Sequence, residues 1–241
     1  MEITKLMFQD WLNKLSILVI VVIAFVDGIL VAGQWKETSP NSTASEAFLL
    51  ENILEQKNSS IILETVTFEV PPFTSQAPYG IWDEPWTYFA EEASTLMVSA
   101  WAKNATLDDS GSALLELRNW ETANLGTFKD TDLDQTLRVL KEYFNVQAEI
   151  SYDVSREALL SALDQGKILL VPVNGQTLGN PNYGEPGPGH HMILVYGYEG
   201  EIFLTNDPGT VRGESYPYPI EKILGAIQDL NGEDRVIVAT R

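Results

Sequence analysis

The sequence predicts one α+β domain behind an N-terminal hydrophobic segment. Helical patterns come first along the chain and short apolar strands follow, an order typical of helices packed on an antiparallel sheet. A chain of 241 residues is long enough for one medium-sized domain with an appendage. We therefore expect a signal segment over residues 1–33, a spacer over residues 34–64 and a folded domain over residues 65–241.

The hydrophobic segment is expected to direct the chain to a membrane. Lys5 and Lys14 precede an apolar run over residues 15–33, which Asp27 interrupts near its end. About 20 apolar residues cross a bilayer as a helix, and lysines before the run place the N-terminus inside and the domain outside. Two interpretations stay open: an uncleaved signal anchor, which we favour, or a signal peptide cleaved after Gly33. The domain is then membrane-anchored and extracytoplasmic, or secreted.

Composition limits the possible partners. The chain has 34 acidic and 15 basic residues, a net charge of −19, and no cysteine. Such a charge repels phosphate backbones, so we expect no binding of nucleic acid. The acidic surface keeps the protein soluble or, alternatively, serves a site for basic peptides. Without cysteine, disulfides, thiolate metal sites and thiol nucleophiles are excluded.

The spacer is followed by a predicted short strand. The spacer is rich in Ser, Thr, Asn and Glu, with a short helix expected over residues 45–56. Residues 65–70 alternate apolar and polar side chains, as a strand does, and Pro71-Pro72 ends the pattern.

A helix is predicted over residues 85–101. Pro85 suits a first turn, and Glu91 and Glu92 lie near it, where the positive end of the helix dipole favours carboxylates. Apolar residues recur at helical spacing on one face. They are Phe89, Ala90, Ala93, Leu96, Met97 and Ala100.

Two more helices are predicted before the strands begin. One spans residues 131–144 with Thr131 as its N-cap, and the other spans residues 155–165 and ends at Gly166. Four apolar strands follow, and Glu199-Gly200 predicts a tight hairpin turn between the middle two. The strands are expected at Ile168–Val173, His191–Tyr196, Glu201–Thr205 and Val236–Thr240.

A histidine and an aspartate are predicted to meet at one edge of this sheet. His190 and His191 open a strand after a Gly/Pro-rich loop, and Asp207 ends the strand that pairs with it. A carboxylate in that place fixes the tautomer and orientation of a catalytic imidazole. Adjacent histidines on a strand point to opposite faces, so we expect no metal site.

Four aromatic residues around the first helix leave two interpretations open. They line a substrate cleft, or they pack the helix onto the sheet. They are Trp82, Trp86, Tyr88 and Phe89.

Seven segments of the chain, in order, match the pattern of a known family. They are Ser-Gln-Ala-Pro-Tyr-Gly at 75–80, Trp-Asp at 82–83, Ala-Glu-Glu-Ala-Ser at 90–94, and residues 126–131, 178–183, 191–198 and 205–213. The family usually has Gln-Ala-Pro, then Trp-Asp, then Cys-Glu-Glu-Ala-Ser at this spacing. Residues 65–241 thus resemble the bacteriocin-processing-peptidase-like family, relatives of the double-glycine leader peptidases within the papain-like cysteine peptidases.

The resemblance implies a papain-like fold and assigns four site residues. His191 is expected to be the general base, Asp207 to orient it, and Gln76 to donate to the oxyanion. Ala90 occupies the position of the nucleophilic cysteine. The chemistry implied needs no metal or organic cofactor.

The alanine at position 90 decides what activity to expect. A thiol at a helix N-terminus beside an imidazole is held as a thiolate, whereas a methyl group has no lone pair and no ionisable proton. Ser94 lies about one turn deeper, displaced by ~6 Å along the axis, and Thr87 precedes the site on a different face. Neither is expected to replace the nucleophile.

Three functions follow as hypotheses. The first is a membrane-tethered extracytoplasmic cysteine-peptidase-like domain, inactive as written and a peptidase or amidase if it had the cysteine. The second is a natural pseudoenzyme that binds peptides or cell-envelope polymers, and the third is a scaffolding domain with an obstructed cleft. Papain-like proteins also include acyltransferases. Expected partners are a peptide or envelope polymer and, through the N-terminal segment, the membrane; the oligomeric state is left open.

Overall fold

The structure, a computed structural model, describes residues 68–241, within a unit that spans Thr65–Arg241. The predicted signal segment, the spacer and its short helix lie outside the described residues. Among residues 68–241, no helix is long and apolar enough to cross a membrane.

The helices lie mostly in the first half of the domain. A 3₁₀ helix at Trp86–Tyr88 leads into α1, and α3 continues as a π-helical turn at Val139–Tyr143. Ser155 caps α4 with its side chain, as the sequence predicts. The α-helices are α1 (Ala90–Ala102), α2 (Ser110–Asn124), α3 (Leu133–Arg138), α4 (Arg156–Asp164), α5 (Gly175–Leu178) and α6 (Ile220–Leu224).

Six strands form one antiparallel sheet. They lie in the order β1-β6-β2-β3-β4-β5, and every pair of neighbours is antiparallel. The strands are β1 (Gln147–Ser151), β2 (Ile168–Val173), β3 (His191–Glu199), β4 (Ile202–Asn206), β5 (Tyr216–Pro219) and β6 (Val236–Thr240). Helices on an antiparallel sheet make the domain α+β, as predicted.

The sheet has an apolar core on each face. Because side chains alternate along a strand, Met192, Leu194 and Tyr196 of β3 join the core under α1, α2 and α3. Ile193 and Val195 join the second core, which α4 and α6 cover. The sheet is therefore covered on both faces, and α1 is held directly against β3.

The first predicted helix is divided in the structure. Phe89 adopts a non-helical conformation (φ −93°, ψ 27°) between the 3₁₀ helix and α1, so Pro85 precedes the 3₁₀ helix instead of opening α1. The first intrahelical bond runs from the N–H of Ala93 to the oxygen of Phe89, at 2.9 Å. Ala90 is therefore the first residue of the α-helix.

Two further expectations about elements were wrong. Residues 68–70 form no strand; Phe68 instead packs over Gly197, where a Cβ would lie 2.4 Å from its ring. The N-cap of α3 is Asp132, whose carboxylate forms a capping box with Gln135, because the hydroxyl of Thr131 is buried 3.3 Å from that of Thr136. Helices α2, α5 and α6 and strands β1 and β5 were not predicted.

Candidate active site

The start of α1 places Ala90 at the floor of a cleft. The first backbone N–H groups of a helix have no intrahelical acceptor and carry partial positive charge. Ala90 is the first residue of α1 and is nearly buried, and it lines the cleft together with Gln76 and His191. The cleft has a volume of about 540 Å³, so three of the predicted site residues share one cavity.

Asp207 and His191 are in direct contact. Nε2 of His191 lies 2.8 Å from Oδ1 of Asp207, and both side chains are buried. This is the contact that the hairpin of β3 and β4 predicted. Nε2 donates to the carboxylate, which leaves Nδ1 as the ring nitrogen that can accept a proton.

The carboxylate of Asp207 is held by a network of donors. Oδ2 accepts from Asn180 Nδ2 at 3.0 Å and from the hydroxyls of Tyr183 and Tyr218 at 2.6 Å each. Burial alone would raise the pKa of Asp207, but His191 and the two tyrosine hydroxyls outweigh it and hold the pKa below its usual value. Asp207 is therefore ionised in the folded protein and can stabilise an imidazolium.

Gly209 lies against the imidazole. Its backbone N–H donates to Oδ1 of Asp207 at 2.9 Å. A Cβ at this position would come within 2.8 Å of Cε1 and 2.9 Å of Nε2 of His191. The turn that the sequence showed after β4 is thus also a wall of the histidine pocket, and it requires glycine for space.

Gln76 lies beside the helix start but its donors are occupied. Its Nε2 donates to the carbonyl oxygens of Trp86 and Thr87, at 3.0 and 3.1 Å. Its own N–H donates to the oxygen of Pro208 at 2.9 Å. Gln76 therefore ties the 3₁₀ helix to the loop after β4, and an oxyanion would have to compete with two carbonyl groups for its amide.

Two hydroxyl groups near Ala90 differ in access to the cleft. Ser94 is fully buried and its hydroxyl donates to the oxygen of Met192 at 3.3 Å, so it holds α1 to β3. Thr87 is exposed and lines the cleft, but it belongs to the 3₁₀ helix before the site. The fold gives Ser94 no access to a substrate.

The four aromatic residues divide between the two interpretations. Trp82 and Tyr88 line the cleft. Trp86 and Phe89 are buried in the core and pack edge-to-face, with ring centroids 5.4 Å apart. One pair of aromatic residues therefore forms part of the cleft wall, and the other pair packs in the core.

Behind Ala90 lies a group of charges that the sequence analysis did not assign. Glu91 is 3% exposed, and its Oε1 lies 2.9 Å from Nε2 of His190. Burial alone would lower the pKa of His190, but Glu91 and Asp130 outweigh it and raise the pKa above its usual value. Partial burial and the Glu91 carboxylate raise the pKa of Asp130. All three residues line the cleft.

A second carboxyl pair lies deeper, between α1 and α2. Burial, together with Glu121 and Glu91, raises the pKa of Glu92 well above its usual value. Burial raises the pKa of Glu121 to about 8. Both oxygens of Glu92 and Oε2 of Glu121 have no donor among the described residues, so the pair is satisfied only if a carboxyl proton lies between the two groups.

The sequence gave only a weak indication that Glu91, Glu92 and Glu121 are buried. Glu91 and Glu92 were explained by the helix dipole alone, and Glu121 lies on a helix that the sequence analysis missed. Leu114, Leu117 and Glu121 are buried at helical spacing on α2. Because Glu121 is polar, the buried face of α2 does not show as an apolar stripe in the sequence. Asn180, Tyr183 and Tyr218 come to Asp207 from distant segments, so no local pattern indicates them.

Comparison with known proteins agrees with this fold. No protein-family model matches the sequence, and no curated protein matches it. A crystal structure described as that of a C39-like peptidase from Bacillus anthracis is similar, with a TM-score of 0.51 and 15% identity, over 73% of this chain and 98% of that chain. The peptidase domain of Streptococcus ComA, a bifunctional ABC transporter involved in a quorum-sensing pathway, has a TM-score of 0.45 and 13% identity, over 73% and 100% of the two chains.

The likeness to the Bacillus anthracis structure shows the fold. Residues 68–241 have the α+β fold of that C39-like peptidase structure. This agrees with the family that the sequence segments resemble. The roles of Ala90, His191, Asp207 and Gln76 stay predictions.

Proposed function

We propose that this domain is a membrane-tethered, extracytoplasmic cysteine-peptidase-like hydrolase whose nucleophile position is occupied by Ala90. The observation that carries the proposal is the buried contact of His191 with Asp207 in the cleft where α1 begins with Ala90. As written, the domain binds its substrate without turning it over. With a cysteine at position 90, it hydrolyses a peptide or amide bond.

The proposed mechanism of the Ala90→Cys form uses groups already in place. Nδ1 of His191 takes the thiol proton, and the thiolate attacks the carbonyl carbon of the substrate. Asp207 keeps the imidazole oriented and stabilises its charge. The imidazolium then gives its proton to the leaving amine, and water, deprotonated by the same nitrogen, releases the acyl group and restores the thiol.

The oxyanion needs donors, and the helix start supplies the nearest ones. The free N–H groups of the first turn of α1 point towards the N-terminal end of the helix, where partial positive charge accumulates. Gln76 contributes in this proposal only if its amide leaves the carbonyls of Trp86 or Thr87. The amide otherwise acts by positioning the 3₁₀ helix.

A thiol-labelling experiment tests the proposal. The full chain in detergent, as given and as Ala90→Cys, is treated with an uncharged peptidyl electrophile and followed by intact mass. Labelling of the Ala90→Cys form much faster than a free thiol, and loss of that rate in Ala90→Cys/His191→Ala, is expected. The chain as given has no cysteine and serves as the unlabelled control. A rate no higher than that of a free thiol would contradict the proposal.

The second candidate is a natural pseudoenzyme that binds peptides or cell-envelope polymers. The open cleft favours it over a scaffolding role, because a cavity of about 540 Å³ lies in front of Ala90. Retention of His191 and Asp207 in contact favours a recently or deliberately inactivated hydrolase. The labelling experiment distinguishes the two candidates. In an inactivated hydrolase the cysteine of Ala90→Cys reacts fast, whereas in a pseudoenzyme that has lost the catalytic geometry it is unreactive although the domain still binds its ligand.

A further inference from the structure

The cleft contains a buried carboxylate with one oxygen that accepts no hydrogen bond among the described residues. Glu91 directly follows the nucleophile position, is 3% exposed and lines the cleft. Its Oε1 forms an ion pair with Nε2 of His190 at 2.9 Å, although neither atom makes a hydrogen bond of good geometry among the described residues. A buried carboxylate oxygen without a well-aligned donor is costly, and a donor from a ligand would offset that cost.

The charges that line the cleft are mostly negative. Glu91, Asp130 and Glu185 contribute carboxylates, and no lysine or arginine of residues 68–241 is among its lining residues. The only lining groups that can carry positive charge are the imidazoles of His190 and His191. His191 is committed to Asp207, which leaves His190 alone to face the other carboxylates.

The lysine next to Asp130 in the sequence, Lys129, already has partners. Lys129 forms an ion pair with Glu84, and its ammonium group lies 4.7 Å from the ring centroid of Tyr88. Asp130, the next residue, is exposed and lines the cleft near Glu91. The loop therefore turns its carboxylate, and not its ammonium group, into the substrate cavity.

We propose that Glu91 and Asp130 form a subsite that binds a cationic group of the peptide substrate, next to the nucleophile position. The group is an alkylammonium or guanidinium: a lysine or arginine side chain, or a free α-amine. This inference rests on the proposed function and names its substrate class, a peptide with a positive charge close to the bond that is attacked.

The arrangement suits a cation for two physical reasons. A partly enclosed cleft lined by one sign of charge concentrates ligands of the opposite sign. A donor from the ligand also supplies the hydrogen bond that Oε1 of Glu91 lacks, and hydrogen bonds to charged groups are the stronger ones. The aromatic ring of Trp82 in the same cleft can cover the apolar stem of a long basic side chain.

Binding to the chain as given tests the inference, because Ala90 prevents turnover. Full-length protein in detergent is titrated with short labelled peptides that have blocked ends and one variable position: lysine, arginine, norleucine or glutamate. A parallel norleucine peptide has a free α-amine. The lysine or arginine peptide, or the free-amine peptide, is expected to bind at least about tenfold more tightly than blocked norleucine. Which one does so identifies the source of the cation.

Three variants locate the effect. Glu91→Gln and Asp130→Asn are expected to remove most of the preference for the cation. Glu149→Gln, an exposed carboxylate of β1 that does not line the cleft, removes the same charge and should keep the preference. If Glu91→Gln does not fold, the binding preference of Asp130→Asn still tests the subsite, because Asp130 is exposed.

Several outcomes overturn the inference. They are no binding by any cationic peptide, equal binding of cationic and neutral peptides, or a preference that survives in both Glu91→Gln and Asp130→Asn. The proposed function is judged separately, by labelling of Ala90→Cys with an uncharged electrophile. Fast labelling that depends on His191, without any preference for a cation, rejects the subsite and keeps the hydrolase.

Discussion

Nε2 of His191 lies 2.8 Å from Oδ1 of Asp207, and the same carboxylate accepts hydrogen bonds from Tyr183 and Tyr218. Strands β3 and β4 bring the histidine and the aspartate together, while both tyrosines come from segments outside that hairpin. The buried Asp207 thus stabilises the fold in addition to its proposed role in catalysis. Its replacement should affect both.

Asp207→Asn in the Ala90→Cys background is expected to slow labelling by roughly 100-fold to 10,000-fold, because the imidazole loses its charged partner and preferred tautomer. Stability should also fall by about 1–3 kcal/mol, since an amide accepts fewer of the donors than a carboxylate. Labelling rates and urea unfolding measure the two effects. An unchanged rate in a folded Asp207→Asn variant would remove Asp207 from the mechanism.

Gly209→Ala is expected to push the imidazole of His191 out of place, because the added Cβ would lie 2.8 Å from Cε1. Overpacking of this kind costs about 1–3 kcal/mol, and we expect labelling of Ala90→Cys to slow by about tenfold or more. Gly184→Ala is the matched control, since Gly184 lines the same cleft and its Cβ would meet nothing within 4 Å. Equal rates for the two variants would show that the turn does not hold the histidine.

Gln76→Ala separates two roles of its amide. If Gln76 only holds the carbonyls of Trp86 and Thr87, stability falls by about 1–3 kcal/mol and all labelling reagents slow alike. If it also stabilises an oxyanion, acyl electrophiles slow more than iodoacetamide, which forms no tetrahedral oxyanion. The structure, in which both carbonyls occupy the amide, favours the first result. A selective loss with acyl reagents would show that the amide reorients when substrate binds.

The carboxyl pair Glu92–Glu121 predicts a pH-dependent stability. The pKa of Glu121 is raised from 4.5 to about 8, so the folded state binds more protons than the unfolded state between these values. Stability is therefore expected to fall as the pH rises from about 4.5 to 8, by up to ~1.4 kcal/mol per unit at the steepest. Urea unfolding from pH 5 to pH 9 measures it.

Glu121→Gln should make that slope shallower, because it removes one of the two buried carboxyl groups whose pKa is raised and supplies a donor to Glu92. Glu116→Gln is the control, since Glu116 is exposed on the same helix α2 and should keep the slope. A wild-type stability that rises over this pH range, or equal slopes in the two variants, would mean that the pair does not share a proton.

Much of the sheet could be predicted because its signals are local. Strands β2 and β6 coincide with the predicted apolar runs, and Ser155 and Gly166 mark the ends of α4 as expected. The contact of His191 with Asp207 was also predictable, since a tight turn between two antiparallel strands brings the two positions to one edge of the sheet. In each case, short-range patterning decides the outcome.

Elements whose sequence patterns conflict with their burial were missed or misplaced. Helix α2 escaped prediction because Glu121 occupies a buried position on its apolar face. The division before α1 depends on Gln76, which holds the carbonyls of Trp86 and Thr87 across ten and eleven residues. The helical spacing of apolar residues continues through Phe89, so the sequence does not indicate that the helix is interrupted there.

The sequence by itself determined the α+β class, four of the six antiparallel strands, the His191–Asp207 pair and the alanine where the resemblance expects a cysteine. Only the tertiary structure decided what surrounds them. The donors to Asp207, the closeness of Gly209 to the imidazole, and the carboxylates of Glu91 and Asp130 in the cleft come from segments far apart in sequence. Such contacts depend on how helices pack on the sheet, and burial then sets their charge and pKa.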